Sequence, residues 1–337
     1  MRMAPEPREH ILIIKHGALG DIILASGHLK AIREHHPNAY ITCLTGKGYG
    51  ALLSACPFID DVWVDTKPKP YHVKRWLALR AQLRSRPFAR VYDLQTSTRS
   101  SHYFALFASP KPEWSGIGRH VSHPQTGPER HVMHTTARLN DQLRIAGITT
   151  DGTPDISWLA ADTKGLLDQI WRSTLHHLDY NDMFDKRGDA IPRFALLVPG
   201  GSAHRPEKRW PPYHYATLAT MLHGNGIIPV LLGGDAERDV LDGIKQNAQS
   251  CVNLCNSTSI AQIATLARTA CWAVGNDTGP MHVIAAANCP STVIFSHASN
   301  PQKSAPNGAA VTCLQQADLA SLLPDAVWNT RPAGLDS

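Results

Sequence analysis

A chain of 337 residues holds two domains of roughly 150 residues and is too short for more than about three. Its 43% hydrophobic and 18% charged residues exclude a disordered chain, a collagen and a disulfide miniprotein. The net charge of +5 is unevenly held: residues 1–180 carry 22 basic and 16 acidic groups and the remainder 11 and 12, which gives only the first half a bias toward an acidic partner.

The polar N-terminus, with Pro5 and Pro7, lacks the apolar stretch of a signal peptide, and no later run reaches the ~18 apolar residues of a membrane span. A soluble protein, or one that sits on a membrane without crossing it, is expected. Residues 11–14 form a short apolar run that ends at a glycine turn before a helical pattern through Ile22, Ile23, Leu29 and Ile32. Strands at 39–44, 61–64 and 90–94 then alternate with helices at 49–54 and 76–83. After a polar stretch at 176–192 the alternation restarts. It runs through strands at 194–198, 228–232, 271–275 and 292–295 and helices at 213–223, 237–247, 259–268 and 278–287. A helix at 318–327 and a loose tail at 329–337 finish the chain. Alternation of this kind makes two doubly wound α/β domains, which bind ligands beyond the carboxyl ends of their strands. The expected organisation is a first domain at 1–178, a linker at 179–192, a second domain at 193–317 and a terminal helix and tail at 318–337, with the two domains facing a central cleft.

The odd number and apolar settings of the seven cysteines read as reduced thiols of a cytosolic protein, and no metal is expected at Cys251 and Cys255, which lack a second ligand pair. Four loops at strand ends favour anions or ribose. KHGALGD at 15–21 places glycines at a strand-to-helix turn, and Asp21 there either caps the helix or serves as a general base; one oxygen can do each. PGGSAHRPEKRWP at 199–211 combines small residues with Lys208, a point charge for a diphosphate, while Trp210 reads as packing. GNDTGPMH at 275–282 opens a helix that Asp277 or Thr278 can cap, its free amides aimed at a phosphate. GGDAER at 233–238 puts carboxylates where a ribose diol binds. No Walker loop, Asp-x-Asp, G-x-S-x-G or H-E-x-x-H motif is present. Finally, residues 66–92 contain eight cations and no acid, which suits phosphates on a lipid, a nucleic acid or an anionic membrane.

Taken in order over 11–308, these segments, with DLQTSTRS at 93–100, resemble the heptosyltransferase family of lipopolysaccharide core synthesis, glycosyltransferases of the two-Rossmann GT-B architecture. The resemblance implies an inverting, metal-independent transfer of heptose from ADP-heptose to a sugar hydroxyl of a phosphorylated, lipid-linked core, with no cofactor. It makes Asp21 the base. Gly20, Ser202, Lys208, Glu237, Asp277, Thr278, Gly279 and His282 would bind or support the donor. Gln95 and Arg99 would face the acceptor with Lys74, Arg75 and Arg84 of the basic run. The enzyme would be cytoplasmic, in peripheral contact with the anionic face of the inner membrane, and would take no nucleic acid. His16-Gly17 and the FSHA segment at 295–298 depart from the family pattern where substrates should meet. Alternatives are another nucleotide sugar or a protein acceptor, a nucleotide-sugar epimerase of the same fold, and a nucleic-acid-binding module.

Overall fold

The structure is a computed structural model, and it describes residues 8–173, 192–201 and 205–335. The chain divides into two compact units, Met1–Trp158 and Leu159–Ser337. Residues 179–191 of the expected linker lie outside the described residues.

The first unit is built from β1 (His10–Ile14), α1 (Leu19–His35), β2 (Tyr40–Gly46), α2 (Gly50–Ser54), β3 (Asp61–Asp65), α3 (Val73–Leu83), β4 (Phe88–Asp93), α4 (Thr98–His102), β5 (Glu113–Gly116), β6 (His123–Pro124) and α5 (Thr135–Ile145). Its strands pair in parallel in the order β3-β2-β1-β4-β5-β6. The continuous apolar run of β1 follows from its central place, because both faces of the strand are covered. Ile11 and Ile13 pack with Ile22, Leu29, Leu139 and Leu143. Leu12 and Ile14 point the other way and pack with Leu79, Leu83, Val91 and Trp114.

The second unit comprises α6 (Lys164–Arg172), β7 (Phe194–Val198), α7 (Pro212–Gly224), β8 (Ile228–Leu231), α8 (Arg238–Asn247), β9 (Val252–Asn253), α9 (Ile260–Ala267), β10 (Trp272–Asn276), α10 (Gly279–Ala286), β11 (Ser291–Phe295), α11 (Pro301–Ser304), β12 (Val311–Gln315) and α12 (Pro324–Trp328). Its sheet, in the order β12-β11-β10-β7-β8-β9, is also parallel. Counted from its own first strand, each sheet has the order 3-2-1-4-5-6, which reverses direction between β1 and β4 and between β7 and β10. Crevices beyond the carboxyl ends of those strand pairs are where such sheets take ligands.

Two expectations are corrected. Residues 318–327 do not form one helix: a 3-10 turn at Leu319–Ser321 is separated from α12 by extended Leu323. Pro324 explains the break, since it has no N–H to continue a helix and disfavours helical backbone in the residue before it. The tail is not loose through 335. Leu335 is buried in the core of the unit, and Arg193 donates to the carbonyls of Gly334 and Leu335 at 2.9 and 2.8 Å.

Candidate functional site

In the first unit, the turn after β1 carries Asp21. Gly17 has φ +114°, and a Cβ there would lie 2.3 Å from the Tyr49 ring, so the turn admits only glycine at that point. The N-cap of α1 is Ala18, which has no side chain to cap with. Asp21, three residues into the helix, accepts the Ala18 N–H through Oδ2 at 3.2 Å. One carboxylate oxygen is thereby committed, while Oδ1 has no hydrogen-bond partner among the described residues. Beneath it, the buried Lys15 donates from Nζ to Leu94 O at 3.2 Å. Burial lowers the Lys15 pKa, against the pull of the Asp21 and Asp93 charges. Burial likewise pushes the Asp93 carboxyl up to about 7, against hydrogen bonds from Ser100 and the backbone and the Lys15 charge.

Two cations that sequence reasoning missed join this cluster. Burial lowers the pKa of Arg138, on α5, against the Asp21 charge; Arg130 is lowered by burial and by Arg138. The Nε atoms of both are buried without a hydrogen-bond partner. No local motif marks them: Arg138 lies more than a hundred residues from Asp21 in the chain and reaches it through the packing of α5 on α1, and Arg130, in the turn at Pro128–His131, joins through Arg138 and Asp93.

Beside this turn, a cavity of about 930 Å³ is lined by His16, Lys47, Lys67, Arg75 and Gln82, among others. His16, which departs from the family pattern, has a structural partner: its Nε2 lies 2.9 Å from Asp65 Oδ2, and both side chains are buried. Tyr103 Oη at 2.5 Å and the Lys67 N–H at 2.7 Å also donate to Asp65. Burial alone would raise the Asp65 pKa, but the bonds from His16, Tyr103 and Lys67 outweigh it and hold the carboxyl below its ordinary range.

The structure separates the residues expected at the acceptor. Arg75 lines the cavity and Lys74 does not. Arg84 donates to the carbonyls of Leu106 and Phe107, Gln95 Oε1 accepts from the His16 N–H at 2.8 Å, and Arg99 donates to Pro68 O at 2.9 Å with its guanidinium 5.9 Å over Trp76. Within the basic run, Arg86 pairs with Asp61 and stacks on Tyr40 and Trp63, and Arg90 pairs with Glu113. The side-chain charges of Lys67, Lys69, Lys74, Arg75 and Arg80 have no carboxylate partner among the described residues.

In the second unit, a cavity of about 490 Å³ opens beyond β7 and β10, lined by Gly200, Gly201, Gly233, Gly234, Glu237, Ile260, Ile263, Asp277, Thr278 and Gly279. A Cβ at Gly200 would approach Glu237 Cγ to 3.0 Å, so the residue keeps the cavity wall thin. Lys208 Nζ lies 3.1 Å from Asp277 Oδ2, with both side chains largely buried. Thr278 is the N-cap of α10, but its hydroxyl makes no capping bond, and Oγ1 is buried without a partner. Glu237 Oε2 accepts from Gly234 N at 2.9 Å, and His282 is buried within α10. Gly20 belongs to the first unit, buried in the first turn of α1. Ser202 lies outside the described residues.

Asn276, whose role sequence reasoning missed, is wholly buried and joins the loops of this cavity. Its Nδ2 donates to Pro199 O and Gly200 O at 2.9 and 3.0 Å, and its Oδ1 accepts from Trp210 N and Tyr215 Oη at 2.9 and 3.2 Å. Trp210 is packing, as expected: it is buried and donates from Nε1 to Leu322 O. Of the second departure, Ser296 accepts from Ala298 N, and His297 Nδ1 bonds the Ala317 carbonyl at 2.8 Å.

A small-residue cavity at the switch point of a parallel sheet, with a largely buried lysine and a helix N-terminus at its edge, suits a nucleotide diphosphate. The sequence model of glycosyltransferase family 9 (heptosyltransferase) matches residues 76–322. The chain belongs to glycosyltransferase family 9. The lipopolysaccharide core heptosyltransferase OpsX of Haemophilus influenzae is 23% identical over 321 residues, which cover 91% of this chain and 84% of that protein. The solved ADP-heptose lps heptosyltransferase II of E. coli superposes with a TM-score of 0.68 at 21% identity, covering 95% of this chain and 97% of that one. E. coli heptosyltransferase WaaC with ADP superposes at 0.71 and 16% identity, covering 95% and 98%. The two parallel sheets match the GT-B heptosyltransferase fold, as expected. Family membership makes the chain a glycosyltransferase, which stands against the epimerase and nucleic-acid-binding alternatives.

Proposed function

We propose that this family 9 enzyme transfers heptose from ADP-heptose to a sugar hydroxyl of the lipopolysaccharide inner core, with inversion and without a metal or other cofactor. The observation that carries the reading is the glycine-lined cavity of the second unit, where the buried, unpartnered Thr278 hydroxyl stands at the N-terminus of α10 and the lining residue Asp277 is paired with Lys208. A diphosphate placed there gains the lysine charge and the helix amides, which stabilise it as a leaving group without a divalent cation. Glu237 meets the ribose, Asp277 keeps Lys208 in place, and Gly279 and His282 support the same loop.

On the acceptor side, the free Oδ1 of Asp21 takes the proton of the attacking hydroxyl as oxygen bonds to the anomeric carbon and the carbon–diphosphate bond breaks. One carboxylate in the role of base fits single displacement and inversion. Arg75, Lys47 and Lys67 meet acceptor phosphates; Lys15, Arg130 and Arg138 compensate charge around the base. Gln95 and Arg99 hold the turn and the cavity rim, and Arg84 tethers α3. The acceptor is lipid-linked and is met at the cytoplasmic face of the membrane; no helix among the described residues is long and apolar enough to cross it.

Calorimetry with ADP, UDP and GDP tests the donor. ADP is expected to bind most tightly, and preference for either rival removes ADP-heptose. Mass spectrometry of lipopolysaccharide from a strain lacking the protein tests the product, with loss of one heptose from the core expected. A chelator is expected to leave the transfer rate unchanged.

A further inference from the structure

α3 has two working faces. Arg75, Ala78, Leu79 and Gln82, at helical spacing, line the large cavity of the first unit. Val73 and Leu77 lie one turn apart outside that lining and are 63% and 55% exposed, and Tyr71, just before the helix, is 68% exposed. Three of the large hydrophobic side chains left in solvent thus fall within seven residues. Lys69, Lys74 and Arg80 accompany them without a carboxylate partner among the described residues, and residues 66–92 contain no acid.

We propose that this stripe docks on an anionic phospholipid surface, with Val73 and Leu77 entering the headgroup layer and Lys69, Lys74 and Arg80 held by lipid phosphates. The proposal rests on the lipid-linked acceptor reading and adds the surface through which the enzyme meets the membrane. Short aliphatic groups ringed by flexible cations suit a fluid interface, where apolar burial and headgroup attraction add. A second copy of the chain on the same patch would set Lys74 and Arg80 against their own like charges. A nucleic acid would engage the cations but offers nothing to cover Val73 and Leu77. Because the opposite face of α3 lines the cavity, docking would seat the cavity beside the lipid that carries the acceptor.

The test is co-sedimentation of the full chain with vesicles of equal parts phosphatidylglycerol and phosphatidylcholine, against vesicles of phosphatidylcholine alone. Binding is expected to the anionic vesicles only. It should fall at least about tenfold when Val73→Glu is combined with Leu77→Glu, and about fivefold for each cation removed by Lys69→Gln and Arg80→Gln. All these side chains are outside the cavity lining, so unfolding midpoints and kcat on a soluble, delipidated acceptor should hold. The proposal is overturned by equal binding to neutral vesicles or by unchanged binding of the Glu variant. It is equally overturned by a concentration-dependent dimer that the Glu variant abolishes, or by single-stranded RNA held as tightly as the anionic vesicles. Failure on vesicles with intact transfer to the soluble acceptor removes the docking surface alone; absent heptose transfer with intact vesicle binding removes the proposed donor and acceptor instead.

Discussion

Asp21 spends one oxygen on the Ala18 N–H and leaves the other without a partner, and that division separates its two roles experimentally. Asparagine can still accept the Ala18 N–H but is a poor proton acceptor. Asp21→Asn should therefore keep the unfolding midpoint and ADP affinity while kcat falls by ~10²–10⁴, the usual yield of general base catalysis; turnover near wild type in a steady-state assay would remove the base role. The Lys208–Asp277 pair makes a different prediction. In the proposed complex the lysine also donates to the diphosphate, and losing a hydrogen bond between charged groups costs about 2 kcal/mol. Lys208→Ala should thus weaken ADP about 30-fold by calorimetry, a loss absent if the lysine only completes a surface turn. Lys208, Asp277 and Thr278 were visible in the sequence because each falls within a glycine-bearing loop after a strand. Arg130 and Arg138 were not, because no local pattern distinguishes an arginine that packs under a distant turn from one in solvent.

At the scale of elements, buried central strands were the easiest to read and edge elements the hardest. β7 lies where its apolar run predicts, at Phe194–Val198, buried throughout. β12 is an edge strand with largely exposed side chains, so its sequence lacks the apolar run that marks a central strand. α5 was missed although Leu139 and Leu143 are four apart, because its polar composition obscures a stripe that also buries Gln142. β4 ends in a group with a measurable consequence. Asp93 is wholly buried, Oδ2 has no hydrogen-bond partner, and the folded state raises its carboxyl to about 7. The folded protein therefore holds a proton that the unfolded chain releases near pH 4. Between those values stability falls as pH rises, and above about pH 7 the penalty is constant. Asp93→Asn, which keeps an acceptor for the Thr96 N–H, should unfold at higher denaturant concentration than wild type at pH 8. The gain has a ceiling of about 4 kcal/mol, three pKa units at ~1.4 each, and should shrink steadily below pH 7 and approach zero only below about pH 4. A gain that does not change with pH would assign the effect to packing.

For the whole molecule, the charge bias of the first half is more selective than its count suggests. Arg84, Arg86 and Arg90 are held by carbonyls and carboxylates of their own unit, whereas Lys47, Lys67 and Arg75 line its cavity and Lys69, Lys74 and Arg80 lie outside that lining. The cavity of the second unit, by contrast, has at its edge Lys208, already paired with Asp277 in a largely buried setting. Screening acts strongly on exposed charges more than a Debye length apart, ~10 Å at 0.1 M salt, and weakly on buried pairs. Raising sodium chloride from about 0.05 to about 0.3 M should therefore increase the apparent KM for a phosphorylated acceptor several-fold while ADP affinity changes much less. A dephosphorylated acceptor should lose most of that salt dependence. Parallel weakening of both substrates would mean that the excess positive charge of the first half takes no part in choosing the acceptor.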